Sequence, residues 1–182
     1  MMQTAYIALG SNLGDRLARL QQAVAELRKI DLHLRCSPVY ESAAHTLRPS
    51  DESPDFLNAV VELHTDLEVG DLLDYCQEIE RKANRCRRTN YAPRTLDLDI
   101  LILGNITCNI HRITLPHPRL HERRFVLQPW YDLAPDSYIP SPVDATVAEV
   151  LAHCNDQAIL LRSQWLLMTT LQENVSRTPI PR

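Results

Sequence analysis

Apolar and polar positions along the chain fall into blocks that switch between a period of two and a period near 3.6. Thr4–Leu9 is a short apolar run and predicts a strand. A glycine-bearing turn follows from Gly10 to Asp15. Leu17, Leu20, Val24 and Leu27 then recur at helical spacing to about Lys29. Leu32, Leu34 and Cys36 alternate, which predicts a second strand over Leu32–Glu41. Ser42–Pro54 is polar and reads as a loop; Phe56–Leu63 resumes as a strand. In Glu68–Arg85, Val69, Leu72, Leu73, Cys76, Ile79 and Ala83 make the stripe of an amphipathic helix. Cys86–Ala92 is polar again, a loop without apolar anchors. A strand is predicted from Leu96 to Leu103, a short one over His111–Leu115, and helices over Phe125–Leu133 and Thr146–Cys154. Beyond about Leu161 the pattern fades. The expected division is a domain over 1–161 and a C-terminal extension over 162–182.

The run from Leu96 is interrupted by two carboxylates, Asp97 and Asp99. Residues two apart on a strand share a face, so the pair points one way with Cα atoms roughly 6.5–7 Å apart. Two like charges on a mostly buried strand repel each other and lose solvation. A divalent cation resolves both problems, and an all-oxygen donor set suits Mg²⁺. Taken alone, the pair fits an edge strand with two solvated acids at least as well.

Composition narrows the field. The chain has 182 residues, 45% hydrophobic and 23% charged, which is ordinary for one globular domain. A net charge of −4 argues against general affinity for nucleic acid or an anionic membrane. The cations are unevenly placed: ten of nineteen Lys and Arg lie in Arg81–Arg94 and Arg112–Arg124. Local basicity on a mildly acidic chain points to a small polyanion. The five cysteines form no C-x-x-C, so reduced thiols and a cytoplasmic protein are expected. No stretch is long enough to span a bilayer. P-loop and dinucleotide-binding glycine patterns are absent.

Other candidates flank the acids. Phe56 and Asn58 share a strand face and could stack on and hydrogen-bond a heterocycle; a core Phe with Asn at a bulge reads as well. Gln77 and Glu80 flank the stripe of their helix, with Glu80 about 50° off it. Arg112 and Thr114 share a face, and His117 is held between two prolines near arginines.

Four segments resemble one family in order and wording: Tyr6–Gly14, Pro54–Val60, Ala92–Leu101 with its P-R-T-L-D-L-D, and Leu115–Leu127. The family is 6-hydroxymethyl-7,8-dihydropterin pyrophosphokinase (HPPK). The resemblance covers about Tyr6 to Leu161. It implies an α+β, ferredoxin-like fold: a mainly antiparallel sheet with packed helices and mobile catalytic loops. It implies transfer of pyrophosphate from ATP to the hydroxymethyl group of the pterin in folate biosynthesis, releasing AMP, with two Mg²⁺ ions. Asp97 and Asp99 match the metal-binding aspartates. Phe56 and Phe125 match the aromatics that sandwich the pterin, Asn58 the side chain that reads its edge, and Ser42 keeps a hydroxyl in the pterin loop. Gln77, Glu80, Ile100, Arg112, Thr114, His117 and Arg123 fall on ATP-site positions. Arg85, Arg87 and Arg94 match catalytic and phosphate-contacting arginines, Arg87 and Arg94 also facing ATP. The sequence departs from the family's usual pattern at Ser42–Thr46, at Asn90 and after about Leu161. A monomer is expected, with contact to other folate-pathway enzymes open. A nucleic-acid-binding module, a metal-dependent phosphohydrolase and, from the altered Ser42–Ser53 loop, a diverged homologue with a different pterin-like acceptor are the rival readings.

Overall fold

The computed structural model describes residues 1–43, 54–83, 95–164 and 167. The chain runs β1 (Gln3–Ser11), α1 (Arg16–Leu27), β2 (Arg35–Cys36), β3 (Tyr40–Ser42), β4 (Phe56–Thr65), α2 (Val69–Lys82) and β5 (Asp97–Leu103). It continues with β6 (Cys108–Ile110), β7 (Ile113–Leu115), α3 (Arg124–Leu133), β8 (Tyr138–Ile139), β9 (Ala145–Thr146), α4 (Val147–Ala152) and β10 (Leu160–Arg162). The main sheet has the order β10-β3-β4-β1-β5, with β2 also on β4. Every pair in it is antiparallel. The path β1-α1-(β2/β3)-β4-α2-β5 places the first and third main strands side by side at the centre. This is the ferredoxin-like arrangement expected from the sequence.

Alternation along β1 separates two cores. Ala5, Ile7 and Leu9 face one side, where Leu20, Val24 and Leu27 of α1 and Leu72, Cys76 and Ile79 of α2 cover the sheet. Tyr6 faces the other, where Val126, Leu127 and Trp130 of α3 and Val147 and Val150 of α4 cover it. The Tyr6 and Trp130 rings lie 5.0 Å apart between centroids. The Tyr6 hydroxyl donates to Glu62 at 2.9 Å, and Arg35 forks onto the same carboxylate. That buried charge is therefore both paired and hydrogen-bonded.

Local chemistry sets the element ends. Asp15 caps α1, its carboxylate accepting from the Ala18 N–H at 3.0 Å. Thr146 and Glu149 form a capping box on α4. The second strand expected over Leu32–Glu41 is not continuous. Leu32 is 72% exposed, and strand pairing begins only at Arg35. Ser37 and Pro38 then split it into β2 and β3. Pro38 has no N–H for a ladder. The Ser37 hydroxyl accepts from Val60 N at 2.9 Å and takes the place of a strand bond. The strand expected over His111–Leu115 is shorter, starting at Ile113, and it pairs with β6, which the pattern did not predict. β10 was also not foreseen. It adds to β3 across the expected boundary at 161, and Leu167 is buried in the main core.

Candidate active site

β5 is the edge strand beside β1, and its register sets the site. Asp99 lies opposite Ala8, and Asp97 opposite Gly10. Gly10 also lies opposite Asn58 of β4. Asp97, Gly10 and Asn58 therefore sit in a row across three strands, on the face that α3 covers. A Cβ built on Gly10 would come within 3.8 Å of Asn58 Oδ1 and 3.9 Å of Asp97 Cβ and Phe56 Cδ1. Gly10 is thus the floor between the carboxylates and the Phe56–Asn58 pair. Sequence reasoning placed it in a turn, but it is a strand residue. The available signal was a glycine directly before a two-residue polar stop.

The acceptor-like side is built of buried, bonded groups. Asn58 and Ser42 are each 5% exposed, and the Asn58 amide donates to the Ser42 hydroxyl at 2.9 Å. Ser42 and Phe56 are paired across β3 and β4, so the hydroxyl, the amide and the ring share one face. Phe56 and Phe125 are both half-buried, Phe125 at the second position of α3 and packed on the α3 core. Beside it, Tyr40 donates to Asp132 at 2.7 Å; burial, then this acceptor, pushes its hydroxyl up to about 12.

Arg123 and His117 converge on Asp99. Arg123 approaches its carboxylate at 3.5 Å and His117 Nε2 at 3.9 Å. The same Arg123 guanidinium lies 5.8 Å from the centre of the Phe125 ring, so it joins the carboxylate side to the aromatic side. The His117 backbone N–H donates to Leu101 O at 2.8 Å, which fixes the residue against β5. Burial holds His117 below the ordinary imidazole range, and Arg123 and Arg119 add to this against the pull of Asp99. Its Nδ1 accepts the Arg119 N–H at 3.2 Å. The neutral ring consequently carries its proton on Nε2, directed at Asp99.

The remaining nucleotide-side candidates divide. Glu80 does not flank the helix stripe; it is 4% exposed, and its carboxylate accepts from Leu98 N at 2.8 Å. Among the described residues β5 has no strand on its outer side, so this acid satisfies a buried edge N–H between the two aspartates. Ile100 is 4% exposed and faces α1 and α2, opposite the carboxylates. Gln77 is half-buried on α2. Arg112 lies in the β6–β7 turn rather than in the strand, paired with Asp74 of α2 at the surface. This hydrogen bond holds Asp74 below its usual range. Thr114 donates to Asn109 across the hairpin at 3.0 Å. Arg85, Arg87 and Arg94 lie outside the described residues.

Among the described residues, no group of three or more His, Cys, Asp or Glu could by itself enclose a metal ion. Two neighbouring carboxylates of one strand are instead a partial set. That fits Mg²⁺, which keeps waters and shares its coordination with substrate phosphates.

The sequence from 6 to 135 matches the family model of 7,8-dihydro-6-hydroxymethylpterin-pyrophosphokinase (HPPK). The chain belongs to this family. It is 41% identical over 142 residues to 2-amino-4-hydroxy-6-hydroxymethyldihydropteridine pyrophosphokinase of Haemophilus influenzae, covering 77% of this chain and 87% of that one. It is 39% identical over 161 residues to the Pseudomonas aeruginosa protein of the same name, covering 87% and 96%. Among solved structures, the wild-type HPPK-DHPS of Plasmodium falciparum with SDX-DHP superposes with a TM-score of 0.59 at 12% identity. That match covers 84% of this chain and 44% of the larger protein, and it supports the fold alone. No described helix is long and apolar enough to cross a membrane.

Proposed function

We propose that this HPPK-family chain transfers a pyrophosphoryl group from ATP to the hydroxymethyl oxygen of 6-hydroxymethyl-7,8-dihydropterin, a step of folate biosynthesis. The carrying observation is the row Asp97, Gly10 and Asn58, which puts the carboxylate pair and the Ser42, Phe56 and Asn58 cluster on one sheet face. Asn58 and Ser42 read the pterin edge, and Phe56 and Phe125 hold its ring. With its amide nitrogen on Ser42, Asn58 turns its carbonyl oxygen to ring N–H donors. Asp97 and Asp99 hold two Mg²⁺ ions. When bound, these neutralise phosphate charge and lower the pKa of the attacking hydroxyl.

The substrate oxygen attacks the β-phosphorus. The bond from that phosphorus to the α-phosphate oxygen breaks, AMP leaves, and the hydroxyl proton is lost. Arg123 steadies the phosphate charge from its place between Asp99 and Phe125. His117 donates a hydrogen bond from Nε2 and is set up to hold a proton rather than take one. Arg94, Arg85 and Arg87 supply further cations, with Arg87 in the closing step. Gln77, Glu80, Ile100, Arg112 and Thr114 form the nucleotide side, Glu80 through its hold on Leu98. The protein works in the cytoplasm with reduced thiols. Burial pushes Cys36 and Cys76 up to about 12, which keeps them unreactive. Contact with another folate-pathway enzyme belongs to the same reading.

The test is AMP formation from ATP and Mg²⁺ with and without the pterin. Pterin-dependent AMP is expected. Phosphate release from ATP without the pterin would favour the phosphohydrolase reading instead.

A further inference from the structure

The functional strands β4 and β5 both start at residues that carry chemistry, Phe56 and Asp97. The ladder of β1 with β4 ends at the pair Ser11–Leu57, that of β3 with β4 at Ser42–Phe56, and that of β1 with β5 at Gly10–Asp97. Carbonyls just before these points lie outside regular pairing, where strand ends fray. Three side chains from the end of β1 and the start of α1 reach them. The Ser11 hydroxyl donates to Thr95 O at 2.7 Å. The Asn12 amide donates to Pro54 O at 3.2 Å. Arg16 donates to Asp55 O at 2.6 Å and pairs with Glu41 of β3 at 2.7 Å. Ser11 and Asn12 are 0% and 1% exposed, so their polar groups are committed inside the protein. A turn that needed only to connect β1 to α1 would not require buried donors aimed at two other strands.

We propose that Ser11, Asn12 and Arg16 form a clamp of positioning residues, with a division of labour between the two strands. Arg16 and Asn12 hold the entrance of β4 and with it Phe56 and Asn58. Ser11 holds the entrance of β5 and with it Asp97. Arg16 also ties Glu41 to Asp55, so one guanidinium joins the chain before and after the 44–53 segment. None of the three touches the reacting atoms. They act by fixing where the two strands begin, a placement that the adjacent Gly10 floor makes sensitive to small shifts. This deepens the two-substrate reading of the site and rests on it for its kinetic consequence.

Arg16→Ala is expected to raise the pterin KM about tenfold, as loss of a charge-assisted hydrogen bond does, with the ATP KM changed by less than about twofold. Arg16→Lys should recover most of that loss. Ser11→Ala should raise the Mg²⁺ concentration for half-maximal rate about fivefold and leave pterin affinity nearly unchanged. Hydrogen exchange read without substrates gives an independent answer. Faster exchange at the Leu57 and Asn58 amides in Arg16→Ala, and at Asp97 and Leu98 in Ser11→Ala, is the expected signature. Equal changes for both substrates in both variants, or exchange that rises uniformly with a lowered Tm, would overturn the clamp as a divided device. If the wild-type protein forms no pterin-dependent AMP, the acceptor reading fails, and the exchange pattern still decides the clamp.

Discussion

The two halves of the site are built differently. On the proposed pterin side, Ser42 and Asn58 are buried and bonded to each other, and Phe56 and Phe125 rest on the sheet and on α3. On the proposed nucleotide side, Arg112 is half-exposed on a hairpin turn and holds Asp74 at the surface. A buried, satisfied pair keeps its geometry without a ligand, because breaking it leaves an unpaired polar group inside the protein. A surface ion pair holds little in place and is readily exchanged for a phosphate. On the proposed assignment, the pterin cradle would be preformed and the outer nucleotide contacts completed on binding. Arg123 is the link, touching Asp99 at one end and the Phe125 face at the other.

The largest effect should come from the shared centre. Asp97→Ala is expected to lower kcat about a thousandfold or more with the fold intact, since charge neutralisation is the main catalytic contribution. Circular dichroism and single-turnover AMP formation check both halves of that statement. His117→Ala should cost clearly less, and equal, mild losses in the two variants would remove the metal assignment from the acids. Next comes the preformed side. Asn58→Ala should weaken pterin binding about thirtyfold and leave ATP affinity unchanged, measured by calorimetry with each ligand, because the change strips one buried hydrogen-bonding group and orphans Ser42.

Gly10→Ala asks the same question by volume alone. The added methyl meets its neighbours at ordinary contact distance, so the protein should fold. The methyl fills the floor between Asn58 and Asp97, and a pterin KM raised about tenfold is expected. An unchanged KM would show that the ring does not rest there. The smallest effect belongs to the exposed hairpin: Arg112→Ala should raise the ATP KM by about threefold at most, diminishing further at high salt. A loss as large as that of Asn58→Ala would show that the nucleotide side is as preformed as the other.

Much of this was legible in the chain. The helical stripes of α1 and α2 and the apolar runs of β1 and β4 placed the main elements within a few residues. A two-residue spacing alone put Asp97 and Asp99 on one face, and the same rule paired Phe56 with Asn58. Glu80 was misread because its angle on the helix described only α2. The Leu98 N–H that it satisfies belongs to another element. Leu32 was misread because the alternation begins before the chain joins the sheet at Arg35, and the break after Cys36 was signalled by Pro38.

What the sequence determined by itself was local: which stretches are strands, which helical face is apolar, and which carboxylates share a side. Periodicity along the backbone decides these, and it needs no partner. What only tertiary structure decided was registry between strands distant in the chain. Gly10 became a site residue because β1 lies between β4 and β5, with Asn58 on one side and Asp97 on the other. The reach of Ser11, Asn12 and Arg16 to carbonyls 39 to 84 residues away is settled the same way. No pattern within one segment encodes such a contact, because its energy arises only when the sheet has closed.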